Sequence, residues 1–137
     1  MKVIADTSFL VSLTNPLEQQ HNACVNVARN LRQKIVVPIT VLPEAAYFIA
    51  QRLSHRAMRA FVKQMQTPYW ELENLDVNDL ERVHQILSQY SDAQLDFVDA
   101  TIIALSERLN ADTVLTLDQR DFRIVRPRHI SYFTILP

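Results

Sequence analysis

The segment that decides the fold is Phe97–Phe122, which reads FVDATIIALSERLNADTVLTLDQRDF. Its first half carries apolar side chains at helical spacing: Val98, Ile102, Leu105 and Leu109. This periodicity predicts a helix from about Asp96 to Leu109. The second half contains a short apolar run, Thr113–Leu117, which predicts a buried strand. A helix that leads within a few residues into a buried strand is typical of an α/β fold.

The same alternation extends outward to both ends of the chain. Four further short runs predict strands: Lys2–Ala5, Ile35–Val37, Tyr69–Glu73 and Ser131–Leu136. Helical patterns predict helices that begin near Thr7, after Asn15-Pro16, near Thr40, after Ser54 and after Asp76. We therefore predict an α/β fold with a mostly parallel central sheet of four to five strands, flanked by helices (α/β/α). We expect a single domain over residues 1–137.

Acidic residues follow three of these strands. Asp6 comes directly after the first strand, and Asp118 directly follows the run Thr113–Leu117. Glu44 lies in the first turns of the helix that follows the second strand. In open α/β sheets, ligands bind outside the carboxyl ends of the strands. We therefore expect these three carboxylates, from distant parts of the chain, to converge at one edge of the sheet.

Asp99 adds a fourth carboxylate from a helix. Ile102 and Ile103 follow three and four residues later, so Asp99 lies at the margin of an apolar stripe. A buried, unpaired carboxylate is costly, and crowded carboxylates repel one another. A bound cation compensates for both, and oxygen ligands at an open site suit Mg²⁺ or Mn²⁺. The chemistry that this arrangement predicts is hydrolysis of a phosphodiester bond.

Each acid also has a purely structural interpretation. Asp6 is equally suited to cap the next helix, and Glu44 favours the positive end of its own helix. Asp96 suits the N-cap of the long helix, with Asp99 as its third residue. Asp118 suits a turn within the sequence LDQRD. The joint placement of these acids, rather than any one of them, favours a functional site.

Composition excludes several classes of function. The 137 residues contain no glycine, which excludes glycine-rich phosphate loops and dinucleotide-binding fingerprints. One cysteine, Cys24, forms no intrachain disulfide, and four scattered histidines add no zinc-binding spacing. Asp6 interrupts the apolar N-terminal segment, and no run reaches transmembrane length. We expect a cytoplasmic protein without a membrane segment.

At these residues the sequence resembles the PIN domain family, and within it the VapC-type toxins of toxin–antitoxin pairs. VIADTSFLVSL is similar to the family's first strand and first acid, and VLPEAAYFI to the segment with its conserved Glu. The segment Phe97–Phe122 is similar to its helix acid and T-x-D strand end. The resemblance spans essentially the whole chain and implies a Rossmann-like PIN fold.

The resemblance also implies an Mg²⁺- or Mn²⁺-dependent endoribonuclease. Its catalytic and metal-binding acids correspond to Asp6, Glu44, Asp99 and Asp118. Four further residues correspond to supporting positions, namely Thr7, Ser8, Asp96 and Thr116. One departure is that the family often has glycine between the long helix and the next strand. Asn110 stands in this segment, and Asn tolerates the left-handed conformation at a helix end.

The positions of basic residues and the resemblance together suggest substrate and partner surfaces. Arg120 and Arg123, with Arg126 and Arg128 beyond them, lie after Asp118 in a loop-like stretch and are candidate phosphate contacts, although a solvated basic surface explains them equally well. The resemblance implies RNA as substrate, a homodimer, and a cognate antitoxin in a groove near the first four helices. Four residues suit that groove or the dimer contact, although core packing also explains them: Tyr47, Met58, Phe61 and Met65.

Other functions stay open. The same acids suit a housekeeping PIN nuclease for RNA maturation, or a PIN-like module that binds RNA or protein without cutting. Receiver domains and aspartyl phosphatases also carry Asp at strand ends. A receiver needs a second acid beside the first and a late lysine. A phosphatase needs a second Asp two residues after the first, where Ser8 stands.

Overall fold

The computed structural model describes all 137 residues, which form five strands and seven α-helices. The strands are β1 (Lys2–Ala5), β2 (Ile35–Pro38), β3 (Trp70–Glu73), β4 (Ala111–Leu115) and β5 (Thr134–Leu136). The helices are α1 (Thr7–Thr14), α2 (His21–Asn30), α3 (Val41–Arg52), α4 (His55–Gln64), α5 (Val77–Gln89), α6 (Phe97–Leu109) and α7 (Gln119–Ile124). A short 3₁₀ turn, Ser91–Ala93, precedes α6. None of the helices is both long and apolar enough to span a membrane.

The five strands form one sheet in the order β3-β2-β1-β4-β5, and every neighbouring pair is parallel. The chain therefore builds outward from β1 through β2 to β3, then crosses back to place β4 on the other side of β1. This reversal is the topological switch point of the sheet, where ligands of such folds bind. The carboxyl ends of β1, β2 and β4 meet at this edge. The predicted α/β fold with helices around a parallel sheet is confirmed.

The core explains why β1, β2 and α6 read as nearly continuous apolar runs. Val3, Ile4 and Ala5 of β1 are all buried, as is the whole of β2. In α6, eight consecutive residues from Asp99 to Ser106 are buried, because this helix packs against the sheet and against α5. Strands buried on both faces lose the polar alternation of a surface strand.

The predicted bounds of β2 and β3 each differ from the observed ones by one residue, and those of the last two strands differ by more. The strand predicted over Thr113–Leu117 is β4, which begins at Ala111 and ends at Leu115. The Thr116 N–H still donates to the Leu136 carbonyl of β5 at 2.9 Å, and just beyond the strand the Thr116 hydroxyl bonds to Asp6 and to the backbone N–H of Asp118. Asp118 therefore follows β4 after two residues rather than directly. The tail strand, predicted over Ser131–Leu136, contains only its last three residues.

The turn after α1 differs from the prediction that Asn15-Pro16 begins the second helix. Asn15 is buried and ends α1, with its N–H donating to the Val11 carbonyl at 2.9 Å. Its side-chain oxygen accepts the N–H of Leu17 at 3.0 Å, which closes a turn, and α2 begins only at His21. That prediction was wrong because Asn caps turns and helix starts by the same hydrogen bond.

Asn110 adopts the conformation that its place in the sequence predicts. It ends α6 with φ 57° and ψ 47°, the left-handed region, and its N–H donates to the Ser106 carbonyl. Asn enters this region at less cost than other side chains. It therefore replaces glycine at the tight connection from α6 into β4.

Candidate active site

Five carboxylates line one cleft of about 190 Å³ at the carboxyl edge of the sheet. They come from four places in the fold: the end of β1, the first turn of α3, the start of α6 and the segment after β4. The five acids are Asp6, Glu44, Asp96, Asp99 and Asp118. Every acid proposed from the sequence therefore lies in a single cleft.

Asp6 is fixed by hydrogen bonds from both sides of the switch point. Its Oδ1 accepts the backbone N–H of Thr7 at 2.7 Å, and its Oδ2 accepts the Thr116 hydroxyl at 2.8 Å. The Ser8 hydroxyl reaches the same Oδ2 at 3.4 Å. Asp6 therefore caps α1 and also lines the cleft. Thr7 contributes its backbone, since its own hydroxyl has no hydrogen-bond partner.

Two hydroxyls connect the ends of β1 and β4. Thr116, fully buried, accepts the backbone N–H of Asp118 at 2.9 Å while it donates to Asp6. Ser8 accepts the backbone N–H of Leu117 at 3.0 Å. These bonds set the segment from Thr116 to Asp118 in the orientation that brings the Asp118 side chain to the cleft.

Asp99 and Glu44 are placed by the first turns of their helices. The Asp96 carboxylate caps α6 by accepting the N–H of Asp99 at 2.7 Å, which turns Asp99 inward, where it is 6% exposed. The hydroxyls of Thr40 and Thr101 hydrogen-bond at 2.7 Å and tie the start of α3 to α6. Glu44 follows one turn into α3 and so faces the same cleft.

Burial and mutual repulsion raise the pKa values of these acids. Burial raises the pKa of Asp6 to about 6, against the hydrogen bonds from Thr116 and Thr7 that lower it, and Glu44 and Asp118 raise it further. Burial, together with Asp6, Asp96, Asp118 and Asp121, raises the pKa of Asp99 to about 8. Burial and Asp121 raise the pKa of Asp118. Ionising the whole cluster near neutral pH therefore requires a compensating positive charge.

Asp121 is a member of the cluster that the sequence analysis missed. One carboxylate oxygen each from Asp99, Asp118 and Asp121 lie within 4.8 Å of one another, a spacing that suits a shared cation. The Asp121 Oδ1 atom is buried and accepts no hydrogen bond. The available signal was its spacing of three residues from Asp118, because α7 brings such positions onto one face.

The donor set fits a divalent cation. It offers only carboxylate oxygens, which Mg²⁺ and Mn²⁺ prefer, and the cleft is open enough to retain water ligands. The raised pKa values of Asp6 and Asp99 give a physical reason for such an ion, since it would offset the repulsion. Asp99, Asp118 and Asp121 could contribute ligands directly, with Asp6 beside them.

Comparison with known proteins shows the family to which the chain belongs. The PIN domain family matches residues 3–126, which include every acid of the cleft. This chain belongs to the PIN domain family. Ribonuclease VapC26 of Mycobacterium tuberculosis is 30% identical to it over 135 residues, which are 98% of this chain and 100% of that protein.

Solved structures share the same PIN fold. The structure of VapC20 of Mycobacterium tuberculosis, described as a sarcin-ricin loop cleaving toxin, aligns with a TM-score of 0.81 at 21% identity, over 86% of this chain and 91% of that one. VapBC2 of Rickettsia felis, bound to a DNA fragment from its promoter, aligns with a TM-score of 0.70 at 16% identity over 100% of both chains. The predicted resemblance to VapC-type PIN domains is confirmed.

Two of the four predicted basic residues of this PIN domain lie in a helix rather than in a loop. Arg120 and Arg123 belong to helix α7 rather than to a loop, and neither lines the acidic cleft. Arg120 is exposed, with its nearest carboxylate contact 4.0 Å away at Asp121. The Arg123 guanidinium donates to the Gln119 side chain at 2.6 Å and, with Arg126, lines a separate depression beside Tyr132. The Arg128 guanidinium contacts Gln85 on α5.

One arginine does line the cleft of the PIN domain. Arg52, at the last turn of α3, is the only basic side chain among the ten residues around the five acids. The sequence analysis did not place Arg52 beside the acids, since it stands eight residues beyond Glu44. The signal was available in the helical phase, because Glu44, Phe48 and Arg52 are spaced by four.

Proposed function

We propose that this protein is an Mg²⁺- or Mn²⁺-dependent endoribonuclease that hydrolyses RNA phosphodiester bonds, and that it is the toxin of a toxin–antitoxin pair. The observation that carries the proposal is the convergence of five carboxylates in one open cleft, two of them with strongly raised pKa values. The relationship to a ribonuclease at 30% identity supports RNA as the substrate class.

The chain's own residues then have defined tasks. We assign Asp6, Glu44, Asp99 and Asp118 as the catalytic and metal-binding acids, with Asp121 as a further ligand. A divalent cation held there would supply positive charge to offset the charge that develops on the phosphoryl oxygens. Thr116 orients Asp6 and fixes the backbone at Asp118. Asp96 and Ser8 keep the acid-bearing segments in register.

Arg120 and Arg123 remain proposed contacts to RNA phosphates beside the cleft. They lie two and five residues after Asp118, on the helix that begins where the acids meet. Replacing both with Ala should weaken RNA binding most at low salt and lower the salt dependence of the affinity by roughly one phosphate per arginine. Fluorescence anisotropy with labelled RNA, between low and physiological salt, measures both quantities. An unchanged salt slope would contradict this assignment.

We further propose a cognate antitoxin as partner, a homodimer as the assembly, and the cytoplasm as location. Among the solved structures with this fold is a VapBC complex, which supports the antitoxin. An apolar cleft of about 310 Å³ between α1, α4 and β3 is the surface that we assign to it. Phe61 and Met65 line that cleft with Leu10, Leu13 and Trp70. Met58 and Tyr47, also expected in the groove, do not line it; Tyr47 is more than half exposed.

The test is cleavage of a structured RNA pool by the purified protein in Mg²⁺, in Mn²⁺ and in EDTA, beside the variant Asp99→Asn. We expect cutting with either metal, none in EDTA, and a loss in the variant of at least about a hundredfold, as for an essential catalytic group. An exposed acid that does not line the cleft, Asp92→Asn, is the matched control and should retain full activity.

Two outcomes would overturn the proposal in different ways. Cutting that survives EDTA or the Asp99→Asn substitution would place the activity elsewhere or in a contaminant. No cutting under any condition, together with no heat of Mn²⁺ binding by calorimetry, would instead indicate a module that binds RNA or protein without cutting. A housekeeping nuclease would cut but would lack a neighbouring antitoxin gene.

A further inference from the structure

We propose that Arg52 binds an RNA phosphate adjacent to the one that is cut, and that Glu18 holds the Arg52 guanidinium in place until RNA displaces it. This inference rests on the proposed ribonuclease function and adds a residue that positions the substrate. It is carried by the position of Arg52 in the acidic cleft, its stacking and its single ionic partner.

Arg52 lies at the far end of a row of side chains on α3. Glu44, Phe48 and Arg52 stand four residues apart, and all three side chains line the cleft. Eight residues of α-helix span about 12 Å, so Arg52 lies well beyond the acid at the other end of this row. That separation is too large for Arg52 to act on the same phosphate as Glu44. It suits a neighbouring phosphate of a chain that runs along α3.

RNA phosphates are repelled by the carboxylates of the cleft. RNA brings a negative phosphate with every nucleotide into a cleft that already holds five carboxylates, and a cation at the acids offsets charge only locally. The flanking phosphates therefore require a separate positive contact. Arg52 is the only basic side chain that lines the cleft, and guanidinium is the group that binds phosphate most readily through paired N–H donors.

Phe48 and Glu18 hold the Arg52 guanidinium in one orientation and leave most of its N–H donors free. Its Cζ lies 4.8 Å from the centre of the Phe48 ring, which stacks against the guanidinium and leaves its edge free. Its Nη1 donates to Glu18 at 3.2 Å, while the side chain stays 51% exposed. Guanidinium carries five N–H donors, so most remain available to a phosphate.

Glu18 lies in the turn that joins α1 to α2, which is itself hydrogen-bonded to the end of α1. A purely structural explanation is that the Glu18–Arg52 pair ties this turn to α3. Such a half-exposed pair contributes little to stability, so it is a weak reason for the arrangement. The two explanations predict opposite effects of a Glu18 substitution on RNA affinity. If the pair is structural, replacing either residue breaks it and weakens RNA binding. If Arg52 binds phosphate, removing Glu18 removes a competitor and strengthens RNA binding.

The experiment compares Arg52→Ala and Glu18→Gln with matched controls at exposed positions outside the cleft, Arg56→Ala and Glu81→Gln. The controls carry the same changes in net charge. The probe is a fluorescein-labelled, mixed-sequence, single-stranded RNA of twenty nucleotides. Its affinity is measured by anisotropy in Ca²⁺, and its initial cleavage rates in Mn²⁺ give apparent KM and kcat.

We expect Arg52→Ala to weaken binding about tenfold, the loss of one charge-assisted contact, and to lower the salt slope by about one. The loss should appear mainly in KM. Glu18→Gln should bind RNA more tightly than Glu81→Gln does. Arg52→Lys, which keeps the charge but loses the paired donors and the stacking, should fall between wild type and Arg52→Ala.

Three results would overturn the inference. If Arg52→Ala matches Arg56→Ala while the wild type cuts RNA, the phosphate contact is wrong and the ribonuclease stands. If Glu18→Gln weakens binding as Arg52→Ala does, the pair is structural. If the wild type neither binds nor cuts RNA, the proposed function fails and this inference fails with it.

Discussion

At the residue scale, Asp99 is the side chain whose surroundings are least favourable to its charge. It is buried at the start of α6, and four other carboxylates act on it in the same direction as burial. A single residue of this kind combines a cost in stability with the metal-binding role that we propose for it. The charge of Asp99 destabilises the metal-free protein, and a bound cation would relieve this destabilisation.

We expect Asp99→Asn to stabilise the metal-free protein, by an amount that grows between about pH 4 and pH 8. The folded pKa of about 8 lies above the ordinary 3.8, so the folded state binds more protons than the unfolded chain across this window. The free energy of unfolding contributed by Asp99 therefore falls as pH rises. Asn carries no charge and removes this loss.

Urea unfolding in EDTA at pH 5 and pH 8 measures the effect. The gain at pH 8 should reach at least about 1 kcal/mol, since one unit of pKa corresponds to about 1.4 kcal/mol. Asp92→Asn, at an exposed position, should show no such gain. A gain of equal size at both pH values would contradict the electrostatic origin.

Thr116 is the second residue whose role is testable by itself. Its hydroxyl donates to Asp6 and lowers the pKa of that carboxyl, while it also accepts the N–H of Asp118. Thr116→Val keeps the shape but removes both bonds. We expect slower cleavage and an acid limb of the pH–rate profile that moves to higher pH by roughly one unit. Thr116→Ser should retain the wild-type profile; a Ser variant as impaired as Val would exclude the hydroxyl.

At the scale of elements, α5 and α6 are joined by ion pairs as well as by apolar packing. Arg82 donates to Glu107 through Nε at 2.6 Å and Nη2 at 2.9 Å, and both side chains are largely buried. Arg108 on α6 pairs in the same way with Asp79, the third residue of α5, whose side chain also accepts the backbone N–H of the N-cap Asp76. Burial raises the pKa of Glu107, but the bonds from Arg82 and the Arg128 backbone outweigh it, so the pKa is lowered.

We expect Arg82→Met to cost about 3 kcal/mol of stability at pH 7, because it leaves the Glu107 carboxylate buried without its partner. The double variant Arg82→Met with Glu107→Met should recover much of that loss. The stabilisation in the wild type is present above the ordinary Glu pKa of 4.5 and is lost as pH falls through the lowered value. Thermal unfolding of the three proteins tests this; a double variant no better than the single one would contradict it.

At the scale of the whole molecule, the acids meet because five parallel strands end at one edge. Asp6 and Thr116 are 110 residues apart in the chain and hydrogen-bond only when β1 and β4 pair. The site therefore exists only in the folded protein, and a cation that binds it must stabilise the fold.

We expect Mn²⁺ at a hundred times its dissociation constant to raise the free energy of unfolding by about 2.7 kcal/mol, and EDTA to reverse the effect. The gain should be largest above pH 8, where protons no longer compete for Asp99. Asp99→Asn should lose most of it, whereas Asp92→Asn should not. Thermal unfolding in a Mn²⁺ series measures the shift, and an equal shift in both variants would indicate binding elsewhere.

The sequence by itself determined the local features of this protein. Apolar runs too short for helices predicted the strands, and the helical patterns between them required parallel pairing. Asp96, Asp76 and Ser54 predicted helix starts, and Asn110 predicted the left-handed end of α6; all four are found. These features depend on a residue and its near neighbours in the chain, and they can therefore be predicted from the sequence alone.

Only the tertiary structure decided the composition of the site. It placed Asp121 beside Asp99 and Asp118 and Arg52 in the same cleft as the acids, and it left Arg120 and Arg123 outside that cleft. It also ended β4 at Leu115, one residue before Thr116, whose hydroxyl donates to Asp6. Which way a helix faces and where a strand stops depend on packing and hydrogen bonds with residues distant in the chain. Those distant partners cannot be predicted from the local spacing of residues in the sequence.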